Sequence, residues 1–510
     1  MAPTVRPHTD WLLSASERGN PDTRLDARHP GDRAWSEGNL VRPLVHGATY
    51  FAELVERIEA AGEGDLVLFT DWRGDADEQL LGEPGSEVSA VLRRAVDRGA
   101  NVHGLMWRSH SNMEEFSHEE NRELGKLVDD KGGNILLDMR VPPRGSHHQK
   151  MVVIRYRGRP EEDVAFIGGI DLCYSRRDDA RHLGDPQAQP MSEHYGETPP
   201  WHDVQCAISG PAVYDAETVF RERWEDDSPL TRSTWRHLRD RKKVDVHAEP
   251  LPEQAPPPPP VPGGTHIVQV LRTYASRKIG DSYPFARKGE RSVAHGYGKA
   301  LEMARELIYV EDQYLWSRAI ADSFVESLER NTGLHMIVVL PRWTDSDNRV
   351  SRIPQLLGRQ RAMARLAEAA PGRVAFYAPE NHHGTPVYVH AKVCVVDDQW
   401  CTVGSDNFNR RSWTHDSELS AVVVDTAAED YSPYARRLRL VLAAEHLDRG
   451  LEGPEYPGEV SAEPDRLPDD DELLDLMADC LDAEGTFRAF AESAAALEEW
   501  HRGGRRGERP

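Results

Sequence analysis

The sequence predicts an α/β protein made of two similar halves, each a mostly parallel, partly mixed sheet flanked by helices. Two observations carry this. The same order of helix and buried strand recurs on either side of a proline run near the middle of the chain. Each half then ends in a stretch that opens with His-x-Lys, continues as an apolar strand and closes on a glycine pair or a Gly-Ser. At 510 residues the chain is too long for one ordinary core, which fits two packed halves.

In the first half a helical stretch, TYFAELVERIEAAG (49–62), leads to the apolar strand DLVLFTDW (65–72). A second helix (SEVSAVLRRAVDRG, 86–99) and the strands NVHGLMW (101–107) and NILLD (134–138) follow. In the second half HGYGKALEMARE (295–306) leads to LIYVEDQYLW (307–316), then ADSFVESLERN (321–331), HMIVVLP (335–341) and RVAFYAP (373–379). Helix alternating with buried strand is the pattern of a helix-covered sheet. AEPLPEQAPPPPPVPGG (248–264) favours an extended polyproline segment and cannot sit in a core. The expected organisation is therefore an N-terminal half (1–247), a proline-rich linker (248–264), a C-terminal half (265–455) and an acidic helical tail (456–510). In the tail, Leu473, Leu474, Leu476, Met477 and Leu481 show helical spacing.

With 29% charged and 39% hydrophobic residues the composition is that of a globular protein. The net charge of -24 repels polyanions, so nucleic acid is a disfavoured partner. The longest apolar runs are strand-length, far below the roughly 20 residues of a membrane span, so no transmembrane segment is expected. The first twenty residues hold no apolar core of signal-peptide length. Five cysteines, odd in number and mostly within apolar runs, read as reduced thiols. A cytoplasmic protein, peripheral to membranes at most, and a monomer, is expected.

The paired stretches are GSHHQKMVVIRYRGRPEEDVAFIGGIDL (145–172) and YVHAKVCVVDDQWCTVGSDNFNRRSW (388–413). Alternate side chains on a strand share a face, so His148 and Lys150 can address one ligand, as can His390 and Lys392. Phosphoryl chemistry suits such a pair, because an imidazole can attack phosphorus or donate a proton while an ammonium neutralises the non-bridging oxygens. A diester exchange needs both a nucleophile and an acid, and duplication supplies the second imidazole. Gly168, Gly169 and Ser405 allow close approach to a phosphate, and Asn407 offers a neutral amide donor. Taken alone, the glycines read equally well as a hairpin turn.

At these residues the sequence resembles the phospholipase D superfamily, whose signature is His-x-Lys-x4-Asp followed by Gly-Gly or Gly-Ser and often by Asn two residues later. HAKVCVVD (390–397) with GSDN (404–407) matches throughout. HHQKMVVIR (147–155) with GGID (168–171) matches in His148, Lys150 and the glycines. There Arg155 replaces the Asp, and Asp171 stands where the second half has Asn407. GGIDLCYSRRD (168–178), PWHDVQCAISGPAVYDAETVFRERW (200–224), IVQVLRTYA (267–275), HGYGKALEMARELIYVEDQYLWS (295–317) and RRSWTHDSELS (410–420) extend the resemblance over about residues 35 to 450.

The resemblance implies two halves related by a pseudo-two-fold axis, with one active site between them. It implies carboxylates behind the imidazoles at Asp203 and Glu418, with Asp203 expected behind His148. It further implies attack by His148, proton donation by His390, and phosphate contacts from Lys150, Lys392, Asn407, Ser405, Gly168, Gly169 and Asp171. The implied substrate is a phospholipid at a membrane surface, with water or an alcohol as acceptor. No cofactor and no metal are expected, because two lysines already supply the charge. Either histidine can fill either role, since both have the same local setting. A nuclease or other phosphodiesterase of the same superfamily, or a non-catalytic lipid- or protein-binding relative, stays open. His382 and His383 read as an exposed loop pair.

Overall fold

The computed structural model describes residues 7–109, 117–231, 247–276, 282–346, 349–449 and 470–504. The first half contributes strands β1 (Ser36–Val45), β2 (Leu66–Asp71), β3 (Asn101–Trp107), β4 (Asn134–Asp138), β5 (Met151–Arg155), β6 (Val164–Gly168) and β7 (Val204–Ser209). Its helices are α1 (Gly47–Glu59), α2 (Val88–Asp97), α3 (His118–Asp129) and α4 (Ala212–Trp224). The second half repeats the series as β8 (His266–Tyr274), β9 (Leu307–Glu311), β10 (His335–Val339), β11 (Val374–Tyr377), β12 (Val393–Val396), β13 (Trp400–Gly404) and β14 (Glu418–Asp425). Its helices α5 (Ser292–Met303), α6 (Arg318–Arg330), α7 (Arg349–Ala369) and α8 (Pro433–His446) fall in the same places.

These strands form one mixed sheet in the order β4-β3-β2-β5-β6-β7-β1-β8-β14-β13-β12-β9-β10-β11. Read inward from either edge, the order is the same, which is the duplication expressed in topology. Parallel pairs are confined to β2-β3-β4 and β9-β10-β11, where helices make the crossovers. The neighbouring strands β5, β6 and β7, and β12, β13 and β14, run antiparallel. At the seam β1 meets β8 only at Ser36↔Val268 and Asn39↔His266, with a register shift between them. The sheet folds over there, so that the halves face each other.

Strand alternation sorts the side chains into three layers. Met151 and Val153 of β5 and Val393 and Val395 of β12 share the core between the two halves. Val152 and Ile154 pack under α1, α2 and α3. Cys394 and Val396 pack under the second set of helices. Cys394 and Cys401, close across a hairpin in sequence, therefore lie in different layers, and all five cysteines are buried thiols.

The proline segment is extended and is held along α4: Trp224 Nε1 donates to Glu249 O (2.8 Å), Arg221 to Pro252 O (2.7 Å) and Arg155 to Pro256 O (2.7 Å). In the tail, helix Asp470–Leu476 and the helix beginning at Ala483 pack on the second half, with Phe490 5.0 Å from the Tyr377 ring. Residues 456–469 and 505–510 of the expected acidic tail, and 450–455 of the expected C-terminal half, lie outside the described residues.

The Asp/Arg difference between the halves has a local cause. Asp397 accepts the backbone amides of Arg305, Glu306 and Leu307 and so fixes the start of β9. Arg155 ends β5 in a longer turn, where its guanidinium pairs with Asp163 (2.6 Å) and Glu217. Removing one partner of a buried ion pair strands the others. Arg155→Ala is expected to lower the unfolding free energy by about 3–5 kcal/mol. Chemical denaturation checks this, and the folded variant should bind inorganic vanadate as the parent does.

Candidate active site

Both His-x-Lys pairs stand just ahead of their regular strands, where the chain crosses to the other half. His147 bridges Ser417 in parallel, and His148 N donates to Ser417 O (2.9 Å). By the same geometry Tyr388–Val389 pairs with Trp201–His202, and His390 N donates to His202 O (2.7 Å). Each imidazole is thereby set beside the carboxylate of the opposite half. His148 Nδ1 lies 2.9 Å from Glu418 Oε2, and His390 Nδ1 lies 2.6 Å from Asp203 Oδ2. The expected place of Asp203 behind His148 is thus taken by Glu418. Nothing in the linear sequence shows that the strands exchange partners. With each Nδ1 engaged by a carboxylate, each Nε2 is left for a ligand.

His148 and His390 line one cavity of about 430 Å³. Trp72, Trp201, Tyr314 and Tyr388 give it aromatic walls. Lys150 Nζ donates to His148 O (3.2 Å) and stands 3.3 Å from Asp171 Oδ2. Lys392 Nζ donates to His390 O. Asp171 also lines the cavity, and its Oδ1 accepts the backbone amides of Trp72 (3.0 Å) and Arg73 (3.3 Å). Asn407, its counterpart, has a buried Oδ1 with no hydrogen-bond partner among the described residues. Ser405 Oγ donates to Glu418 Oε2 (2.6 Å) and accepts from Leu419 N (3.0 Å), so its hydroxyl is spent on the carboxylate.

The glycines pack against the opening of β7. A Cβ on Gly168 would fall 2.5 Å from Val204 O, and one on Gly169 would fall 2.1 Å from Asp203 Oδ1. Gly169 thus lets the carboxylate of Asp203 come close to β6, and Gly168 does the same for the backbone of β7.

Burial shapes the charges. It pushes the His390 imidazole down to about 3, helped by Lys392 and only partly offset by Asp203. Burial likewise holds His148 well below its usual value, with Lys150 and Lys392 adding to the effect. Burial would raise the Asp203 carboxyl, but His390 and Lys392 outweigh it and keep Asp203 ionised. Glu418 is pushed up to about 8 by burial and by Asp416. Lys392 is lowered to about 7, mainly by burial and also by Lys150. The cavity is therefore short of negative charge, and a phosphodiester anion would raise the imidazole and ammonium pKa values on binding.

Sequence reasoning did not single out Trp72, Arg73 or Arg176. Arg176 lines the cavity with its guanidinium 3.9 Å from the Trp201 ring centroid, and its buried Nε has no partner among the described residues. Its one signal was a place just after the glycine pair. Trp72 and Arg73 follow β2 as Gln313 and Tyr314 follow β9, a correspondence that only the register makes plain.

One duplicated sheet, with a crossed pair of imidazole–carboxylate couples where its two halves meet, defines the class of scaffold. The chain belongs to the phospholipase D family: the Phospholipase D family model matches residues 66–323. A second model, described as Cardiolipin synthase, PLD-like domain, matches 297–439. Phospholipase D alpha 1 of Cynara cardunculus is 24% identical over 73% of this chain and 60% of its own length. Phospholipase D A of Dictyostelium discoideum is 25% identical over 80% of this chain and 35% of its own. The chain spans about six-tenths of the length of the plant relatives it matches. In fold it is similar to a phosphatidylserine synthase of Haemophilus influenzae (TM-score 0.50, 13% identity, 76% of this chain and 82% of that one). No described helix is long and apolar enough to cross a membrane.

Because Gly169 abuts Asp203, Gly169→Ala is expected to cost about 1–3 kcal/mol of stability through overpacking. It should also displace the His390 ring. Denaturation and the histidine NMR resonances check the two effects, and an unshifted His390 would show that Asp203 tolerates the methyl.

Proposed function

We propose that the chain is a phospholipase D-type phosphodiesterase that hydrolyses phospholipid headgroup esters or transfers the phosphatidyl group to an alcohol. The observation that carries this is the pair of imidazoles on one cavity, each backed by a carboxylate from the other half. The relatives named phospholipase D favour a lipid over a nucleic acid, and so does the charge of -24.

In this reading His148 Nε2 attacks phosphorus, the bond to the headgroup oxygen breaks, and His390 gives that oxygen its proton. Phosphorus is then covalently held on His148. His390 next takes a proton from water or an acceptor alcohol, whose oxygen attacks phosphorus and releases His148. Lys150, Lys392 and Asn407 face the non-bridging oxygens; of the other expected phosphate contacts, Asp171 acts through Lys150, and Gly168 and Gly169 serve the approach of β7 to β6. Ser405 acts through Glu418. Asp203 and Glu418 hold the rings and stabilise each imidazolium as it forms. The chemistry calls for no divalent metal in the cavity, and the protein acts as a monomer, peripheral to the membrane surface.

A second reading exchanges the two histidines. The observation favouring it is the charge asymmetry: Asp203 is ionised beneath a neutral His390, whereas the His148–Glu418 couple retains an extra proton until about pH 8.

Phosphatidylcholine vesicles with ethanol should yield phosphatidylethanol, unaffected by omitting Mg²⁺ and Ca²⁺. His148→Asn and His390→Asn should each lower turnover by about 10⁴-fold or more. Whichever variant still traps labelled phosphorus on the protein has kept the nucleophile, and the histidine it lacks is the acid. Cleavage of DNA without any lipid product would assign the site to a nuclease, and turnover surviving both substitutions would overturn the shared site.

The pH dependence follows from Lys392. A pKa lowered to about 7 means that the ammonium is charged below pH 7 and neutral above it. kcat/KM should therefore fall as pH rises through about 7, because anion binding to the free site weakens. Arginine stays charged throughout. In Lys392→Arg the falling limb should disappear, whatever the residual rate.

A further inference from the structure

Behind the wall of the cavity lies a second cluster that the chemistry above does not use. His46 at the start of α1, His182 in the loop after β6, His202 beside Asp203, and Glu445 near the end of α8 converge there. Their ligand-type atoms all lie within 4.8 Å of one another. His46 Nε2 is 2.8 Å from Glu445 Oε2, and both His182 Nε2 (3.0 Å) and His202 Nδ1 (2.9 Å) approach Oε1. The His202 side chain is fully buried, and those of His182 and Glu445 are each 8% exposed.

The outward nitrogens decide what the inward ones present. His182 Nδ1 is 3.1 Å from the carbonyl of Trp201, which can only accept, so Nδ1 carries the hydrogen. His202 Nε2 is 2.7 Å from Glu311 Oε2, an acceptor of the same kind. In the neutral tautomers that these contacts select, His182 Nε2 and His202 Nδ1 aim lone pairs at one carboxylate oxygen. Two lone pairs against a carboxylate oxygen, buried and at hydrogen-bond distance, need a proton or a metal ion between them. Protonating His202, flanked by Glu311 and Glu445, relieves one contact and leaves the other. Charging both rings would place imidazoliums side by side, with the His182 and His202 centroids 5.8 Å apart and each close to His46. A backbone carbonyl and a carboxylate behind two histidines is also how metal-bound imidazoles are oriented.

We propose that His46, His182, His202 and Glu445 bind a zinc ion. Three neutral imidazoles and one carboxylate are a suitable donor set for a closed, four-coordinate zinc site. The ion tethers α1, the loop after β6 and the strand before Asp203 to α8 of the other half. It thus braces the segment whose carbonyl receives His390 N, and takes no part in bond making. The proposal goes beyond the phosphodiesterase reading and is tested without any measurement of turnover.

The full chain, purified without chelator and then incubated with zinc sulfate and desalted, should carry about one zinc per molecule by elemental analysis. Stripping with dipicolinate should lower the melting temperature, and zinc sulfate should restore it. Glu445→Gln preserves the shape and offers an amide donor to the lone pairs. Its zinc affinity should fall by about tenfold or more while its far-UV circular dichroism is unchanged. His182→Ala should lose zinc in the same way, whereas His382→Ala, in an exposed loop, should keep it. Wild-type chain that takes up no zinc, or zinc retained equally by Glu445→Gln and His182→Ala, would overturn the assignment.

Discussion

The site depends on one exchange of backbone partners. Ser417 N donates to Ser146 O (3.0 Å) and His148 N to Ser417 O, while Tyr388 N donates to Pro200 O (2.8 Å) and His390 N to His202 O. These short parallel pairings lock the opening of each His-x-Lys strand to the opening of the other half's carboxylate strand. Neither half can assemble an imidazole–carboxylate couple alone. The apolar layer between the sheets, where Val153 and Val395 meet Ile167 and Leu419, therefore does more than stabilise, since it sets the separation of the two rings. Buried charges reinforce the junction: Arg223 bonds Asp138 (2.6 Å), the Ser417 hydroxyl (2.7 Å) and Arg140 O.

The halves have diverged where the chemistry permits. In the second, Asp397 satisfies three amides by itself, and its turn is short. In the first, a longer turn turns to Asp163, whose carboxylate accepts Tyr156 N (2.7 Å) and pairs with Arg155. Arg155 in turn reaches the proline segment, so the lost motif residue is replaced by a contact that secures the connection between halves. The Asp171/Asn407 difference is of another kind. Asp171 binds Lys150, while burial and Asp171 together push Asp71 well above the carboxylate range.

The charge pattern follows from depth. The two imidazoles and the Lys392 ammonium lose hydration at this depth, and their pKa values drop in consequence. The same desolvation makes the site attractive to an anion, because a phosphodiester restores what burial removed. A net charge of -24 repels polyanions from the surface as a whole, whereas the aromatic-walled cavity gathers Lys150, Lys392 and Arg176 around its two imidazoles.

Much of this was legible in the sequence. The order of elements, the duplication, the proline break and both His-x-Lys pairs follow from periodicity and local motif, which act over a few residues and leave their mark in linear order. Asp203 and Glu418 were also found, through their neighbours in WHDV and DSEL. Their assignment to opposite imidazoles was not, because the pairing joins positions 187 and 270 residues apart. Ser405 read as a phosphate contact and proved to face Glu418, a distinction fixed by the register of β13 on β14. Arg176, Trp72 and the group of His46, His182, His202 and Glu445 come from segments with no common pattern. Local sequence determined which strands carry the chemistry. Only the folding of two sheets face to face decided which side chains share a cavity, because contact across such distances depends on packing and not on spacing.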